Sequence, residues 1–170
     1  MILAVDVHYK GQKAVVAGVL FENWYDDHPC EVFMSTVADI EKYEPGEFYK
    51  RELPCILKLL GDHQIRPDCI VVDGFVYLDG VIKAGLGKHL YDALEGRVNI
   101  IGVAKKPFKD ISDRFAVYRG RSDKPLYVTS EGIEIDTAKK LVAAMSGRFR
   151  VPTLLKMVDQ ACRSETVIRR

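Results

Sequence analysis

Two aspartates stand where a folding chain has least use for a charge. Asp6 follows the apolar run Leu3-Ala4-Val5, and Asp73 closes the run Ile70-Val71-Val72. A carboxylate at such a place is costly to bury unless it is hydrogen-bonded, paired or bound to a cation. If the strands that carry them lie side by side, the two acids converge. Two or three oxygen ligands with open coordination positions suit Mg²⁺ or Mn²⁺. Such an ion can activate a water and neutralise charge on a phosphodiester. Each acid taken alone reads better as the cap of a strand end or turn; for the pair the two readings stand level at this point. A third piece is the segment from Tyr43 to Glu52, Tyr-Glu-Pro-Gly-Glu-Phe-Tyr-Lys-Arg-Glu. From its residues alone it is a Pro-Gly turn opening a helix with solvated charges, Glu52 lying about one turn inside.

The elements that must position these residues are legible from periodicity. Ile2 to Tyr9, Lys13 to Phe21 and Glu31 to Asp39 are apolar or β-branched runs separated by short connections, which predicts an antiparallel meander. From Glu47 to Gly61, Phe48, Leu53, Ile56, Leu57, Leu59 and Leu60 recur at helical spacing, with Pro54 in the first half and a glycine at the end. Asp68 to Phe75 and Asn99 to Ala104 are short continuous apolar runs, as expected of strands buried on both faces in parallel pairing. Leu86 to Leu94 reads as a helix, and Pro125 to Ile135 as a strand or hairpin. Asp136 to Ser146 is a strongly amphipathic helix with Asp136 as its N-cap and Gly147 as its stop. A last helix, Thr153 to Arg163, follows Pro152. The basic loop from Phe108 to Lys124 is expected to fold back as a hairpin. The order is a three-stranded meander followed by alternating helices and strands. It predicts an α/β fold of ribonuclease H-like plan, a mixed sheet with helices on both faces, as one domain over residues 1–170.

Composition narrows the class. Hydrophobic residues make up 48% of the 170, enough for one buried core. The 25 basic and 24 acidic residues leave a net charge of +1, which argues against coating nucleic acid by bulk charge but not against a local basic patch. Cys30, Cys55, Cys69 and Cys162 form no Cys-x-x-Cys pair, so neither a zinc knuckle nor a redox motif is expected, and the thiols read as reduced. Asp6 and His8 interrupt the apolar start before it reaches the length of a signal or membrane segment. A cytoplasmic protein with no membrane partner is expected.

Four motifs, in order and at matching spacing, resemble those of the endonuclease V family. They are Asp6-Val7, Tyr43-Glu44-Pro45-Gly46 with Arg51-Glu52, Val72-Asp73-Gly74, and Gly102-Val103-Ala104-Lys105-Lys106. A weaker likeness continues through Pro125-Leu126-Tyr127 and Ile135-Asp136-Thr137-Ala138. The resemblance implies that Asp6, Glu52 and Asp73 are acidic ligands of Mg²⁺ or Mn²⁺. It implies that Lys105 lies near the scissile phosphate, with Lys106 beside it on the nucleic acid. Tyr43 and Pro45 match the wedge that pushes between bases, Pro45 being its rigid part. Gly46 and Gly74 match positions whose missing side chains leave room for a flipped-out base.

The chain departs from the family pattern in three places. The glycine expected two residues after Gly74 is Val76, which predicts a reshaped, narrowed base pocket. The family's Gly-His ahead of its last major helix is replaced by Ser130-Glu131-Gly132-Ile133. Counting back from Ile135 sets Glu131 at the histidine's position, and counting forward from Pro125 sets Gly132 there. Glu131 is therefore either a fourth catalytic carboxylate or a solvated hairpin acid. The segment after Lys106 is also shorter than in typical members. The implied function is a metal-dependent endonuclease hydrolysing a phosphodiester near deaminated bases, inosine above all, in DNA or RNA. The alternative is a catalytically degenerate nucleic-acid-binding module of the same fold.

Overall fold

The computed structural model describes residues 1–38, 40, 44, 45, 47 and 49–164. β1 (Ile2–Lys10) and β2 (Lys13–Phe21) form a hairpin closed by Gly11 and Gln12, and β3 (Glu31–Val37) adds antiparallel to β2. α1 (Tyr49–His63) then crosses to β4 (Cys69–Asp73), which lies parallel to β1, and α2 (Leu86–Ala93) crosses to β5 (Asn99–Ala104), parallel to β4. β6 (Ala116–Val117) and β7 (Leu126–Glu131) pair antiparallel, and β7 runs antiparallel to β5. α3 (Ile135–Ala144) and α4 (Thr153–Arg163) complete the chain. The sheet order is β3-β2-β1-β4-β5-β7-β6, the mixed arrangement that the meander and the alternating units predict.

Strand alternation divides the core in two. Ile2, Ala4, Cys69, Val71, Ile101 and Val103 face α3 and α4 in one cluster. Leu3, Val5, Ile70, Val72 and Ile100 face α1 and α2 in the other. This is why β4 reads as a continuous apolar run: Ile70, Val71 and Val72 are each at most 1% exposed, though they point to opposite sides. Gly102 fixes the close approach of the chain leaving β4. A Cβ there would stand 2.6 Å from the Gly74 carbonyl oxygen and 2.8 Å from the Val76 nitrogen.

Some boundaries differ from expectation, each for a physical reason. α1 runs past Gly61 to His63, and the left-handed residue that ends it is Gln64 (φ 51°). Its last turn is tied to β3, with Ser35 Oγ donating to Asp62 and the His63 ring meeting the Met34 carbonyl oxygen at 2.8 Å. The segment 108–124 is not itself a hairpin. It holds a 3-10 turn at Asp113–Phe115 and then β6, whose partner is β7. Asp136 lies in the first turn of α3 rather than at its N-cap, which is Glu134. There its charge complements the positive end of the helix dipole.

The turn from α3 to α4 is held by a residue from elsewhere. Arg119, 6% exposed, donates to the carbonyl oxygens of Met145, Gly147, Phe149 and Arg150. Arg150 in turn donates to the carbonyl oxygens of Lys105 and Pro125. Among the described residues no helix is long and apolar enough to cross a membrane.

Candidate metal centre

The register of the parallel strands decides where the acids meet. Val5 pairs with Val72, so one step further Asp6 stands level with Asp73, and Asp73 pairs with Val103 on β5. By alternation Asp6, Asp73 and Lys105 share the face of Ala4, Val71 and Val103, the face on which α4 lies. α4 buries Leu154, Val158 and Cys162, one residue per turn, against this face. Asp159 follows Val158 and is carried to the edge of the sheet beside Asp6. The acids of β1 and β4 and the Lys105 ammonium line one cleft over Val5, Val71, Val72 and Val103, walled by Val151, Leu155 and Val158.

Among the described residues the closest group of potential ligands is Asp6, Asp159 and Cys162, whose ligand atoms all lie within 4.8 Å of one another. Asp6 also accepts from the Val7 amide at 2.9 Å. Glu52 enters from the opposite face. It sits in the first turn of α1, whose buried side carries Cys55, Ile56 and Leu59, and the charges of Asp73 and Asp6 act on it.

The electrostatics are those of a carboxylate cluster short of cations. Burial, then the charge of Asp73, pushes the Asp6 carboxyl up to about 7. Burial, then Asp73 and Asp6, pushes Glu52 up to about 8. Asp73 is raised by the protein around it, against the pull of Lys105, although its outer side is open to solvent. Asp159 is the exception. Burial raises it, but hydrogen bonds with Arg163 and then Asp6 outweigh that and hold it low, Arg163 Nε donating at 2.8 Å. The hydrogen bond between Asp6 and Asp159 thus raises the first carboxyl and lowers the second. Like-charged carboxyls this close take up protons unless a cation replaces them. Their oxygens are the donors a hard divalent ion prefers, so the residues fit such an ion.

The other site expectations divide. Lys105 is half-buried in the cleft and Lys106 is exposed beside it. Gly74 takes φ 135°, a conformation that favours glycine, and the space where a Cβ would stand is open for 4 Å. Pro45 is exposed on the turn ahead of α1. Tyr43 and Gly46 lie outside the described residues. Glu131 is not with the other acids. β7 is antiparallel to β5 and pairs Glu131 with Ile100, at the end of β5 away from Lys105, where Tyr77 Oη donates to its carboxylate. Over the strand length between them the separation is roughly 15 Å. Nor does Val76 narrow the cleft. Its side chain is 0% exposed, in the cluster with Leu86, Leu90 and Ile100, and its amide donates to Thr129 Oγ1 at 2.8 Å. Asp159 is the acid that sequence reasoning missed. Its one signal is its position at the border of the apolar stripe of α4, four residues before Arg163.

Comparison with known proteins follows this geometry. The family model of endonuclease V matches residues 1–117. Endonuclease V of a Nostoc species is 28% identical over 141 residues, which is 69% of this chain and 61% of that protein. The chain thus spans less than two thirds of that relative's length. The crystal structure of the Streptomyces avermitilis endonuclease V superposes with a TM-score of 0.77 at 26% identity, covering 95% of this chain and 79% of that one. The catalytic domain of human endonuclease V gives 0.76 at 21%, covering 95% and 80%. The Ciona intestinalis endonuclease V, in complex with a 23mer DNA containing an inosine followed by a ribo-adenosine, gives 0.72 at 20%, covering 95% and 83%. The last two likenesses bear on the fold alone.

Proposed function

The chain belongs to the endonuclease V family, and on that premise we propose that it is a divalent-metal-dependent endonuclease, hydrolysing one phosphodiester bond beside a deaminated base, inosine foremost, in DNA or RNA. The observation that carries this reading is the convergence of Asp6 and Asp73 with Lys105 in one cleft at the ends of parallel strands, with Asp159 of α4 beside Asp6. Asp6, Asp73 and Asp159, with Glu52 from the opposite face, would hold Mg²⁺ or Mn²⁺. The bound ion would supply Lewis acidity toward a phosphoryl oxygen and the attacking water. The chain's own residues do the rest. Lys105, half-buried with its backbone carbonyl held by Arg150, presents a compact positive charge to the scissile phosphate. Open space beside Gly74 receives the extruded base. The family's wedge falls on Tyr43 and Pro45, and Lys106 extends the basic contact along the strand.

The binding-only alternative rests on the missing family histidine and on Val76. Asp159 weakens the first of these grounds, because it brings a further oxygen donor beside Asp6 from α4. The reading is tested by gel cleavage of end-labelled inosine-containing DNA and RNA oligonucleotides with Mg²⁺, Mn²⁺ or EDTA, beside undamaged controls and an Asp73→Ala protein. A metal-dependent cut near inosine that the variant loses is the expected result. No cut with either ion, while a gel shift persists, would leave the binding module.

A further inference from the structure

Of the four cysteines, Cys162 is the one grouped with Asp6 and Asp159. Cys30 is exposed on the connection to β3, Cys69 begins β4 at the far end from Asp73, and Cys55 is buried on α1 near Glu52. Cys162 is 1% exposed, and its Sγ is within 4.8 Å of carboxylate oxygens of both Asp6 and Asp159. It is three residues after Asp159 on α4, so both side chains leave one helical face. The sulfur otherwise has only a weak bond, donated to the Asp159 carbonyl oxygen at 3.2 Å. A further acid meets the charges of this group from the other face of the sheet. Glu52, largely shielded from solvent, feels the charges of Asp73 and Asp6, with only Arg51 to offset them.

We propose that Cys162 is a sulfur ligand of the metal centre, which makes it a mixed carboxylate–thiolate site able to take a thiophilic divalent cation such as Zn²⁺, Cd²⁺ or Co²⁺ as well as a hard one. Sulfur and oxygen bonded to one tetrahedral ion, at about 2.3 and 2.0 Å from it, lie roughly 3.5 Å apart. The side chains need only a small adjustment to close on an ion. Binding exchanges the thiol proton for the metal–sulfur bond and releases that proton to solvent. Soft cations gain most from the sulfur and Mg²⁺ gains nothing. The soft ion would therefore displace the hard one and inhibit cleavage. The inference rests on the reading of Asp6 and Asp159 as ligands, and not on which nucleic acid is cut.

Co²⁺ is titrated into the whole chain without nucleic acid and followed by absorption. A sulfur-to-cobalt charge-transfer band in the near ultraviolet is expected, lost in Cys162→Ser and retained in Cys30→Ser. Cd²⁺ affinity should fall on the order of tenfold or more in Cys162→Ser. Cobalt spectra without that band, no cobalt spectrum at all, or a band that survives in Cys162→Ser would overturn the proposal. If Cys162→Ser does not fold, ¹¹³Cd resonance on the unaltered protein decides, because a sulfur ligand shifts it far from an all-oxygen site. A charge-transfer band in a protein that cuts no substrate would retire the nuclease reading and leave this inference standing. Mg²⁺-dependent cleavage with no band would do the reverse.

Discussion

Replacing a half-buried carboxylate ordinarily weakens a protein, but Asp6→Asn should strengthen the metal-free one. The Asp6 carboxyl is pushed from 3.8 to about 7 by burial and by Asp73. Its folded form therefore holds a proton that the unfolded chain releases at lower pH. Stability from such a group is fully present below about pH 4, declines as pH rises, and is lost once pH passes about 7. At about 1.4 kcal/mol per pH unit the whole interval corresponds to ~4 kcal/mol. The hydrogen bond with Asp159 and the relaxation of the cleft bring the expected gain of the variant to on the order of 1–3 kcal/mol at pH 8. For a chain of this size that is roughly 3–10 °C in melting temperature. Asparagine keeps the shape and the acceptor for the Val7 amide, so little else changes. Thermal melts of both proteins in EDTA at pH 4 and pH 8 measure the effect. The curves should coincide at pH 4 and separate at pH 8 with the variant higher. Saturating Mn²⁺ should reverse the order, since ligand at a thousand times its Kd adds ~4.1 kcal/mol to the unaltered protein alone. A variant that is less stable by the same amount at both pH values would refute the idea that the cluster is short of cations.

Three further outcomes follow from the same geometry. Asp159→Asn should lower metal-supported cleavage by about a hundredfold, of the order seen when an electrostatic group is lost from an active site, while circular dichroism stays unchanged; full activity would remove Asp159 from the centre. Glu131→Gln should leave cleavage and metal affinity as they are and cost only about 1 kcal/mol in denaturant unfolding through the Tyr77 bond, and a large loss of activity would restore it as a catalytic acid. Gly102→Ala should destabilise by on the order of 2–4 kcal/mol, because its Cβ meets the Gly74 carbonyl and the Val76 amide, backbone atoms that have no free rotamer to yield; an unchanged unfolding midpoint would contradict that packing.

The sequence makes the strands legible because β4 and β5 are short runs with two buried faces and β1 opens a meander, while the parallel pairing of β1 with β4 that brings Asp6 level with Asp73 is supplied by the fold. Glu52 and Lys105 follow from the family motifs. Asp159 does not, since in Thr-Leu-Leu-Lys-Met-Val-Asp-Gln-Ala-Cys-Arg an acid four residues before an arginine reads as one partner of a surface pair, and that pair is present. What turns it inward is the docking of α4 on β1 and β2, a long-range fact that no local period contains. Glu131 failed for the opposite reason. Matching residues by count ignored the direction of β7, and an antiparallel strand carries its last residue away from the end where its neighbour's next residue emerges. Val76 misled because glycine-to-valine suggests a narrowed opening, whereas the chain after Gly74 has already turned its odd side chain into the core.

Arg119 has a consequence for how this chain can change. The family match ends at residue 117, so the arginine, the turn it gathers and the helix bearing Asp159 all fall beyond it. One guanidinium satisfies four carbonyl oxygens that no nearby side chain serves, and lysine, with a single ammonium, cannot reproduce that fork. The last third of the chain is therefore tied together as one packed unit. A graft that exchanges α4 between relatives must carry the turn at 145–150 and a residue 40 positions before Asp159 along with it. An acid grafted alone would arrive on a helix with nothing to fix its angle to the sheet.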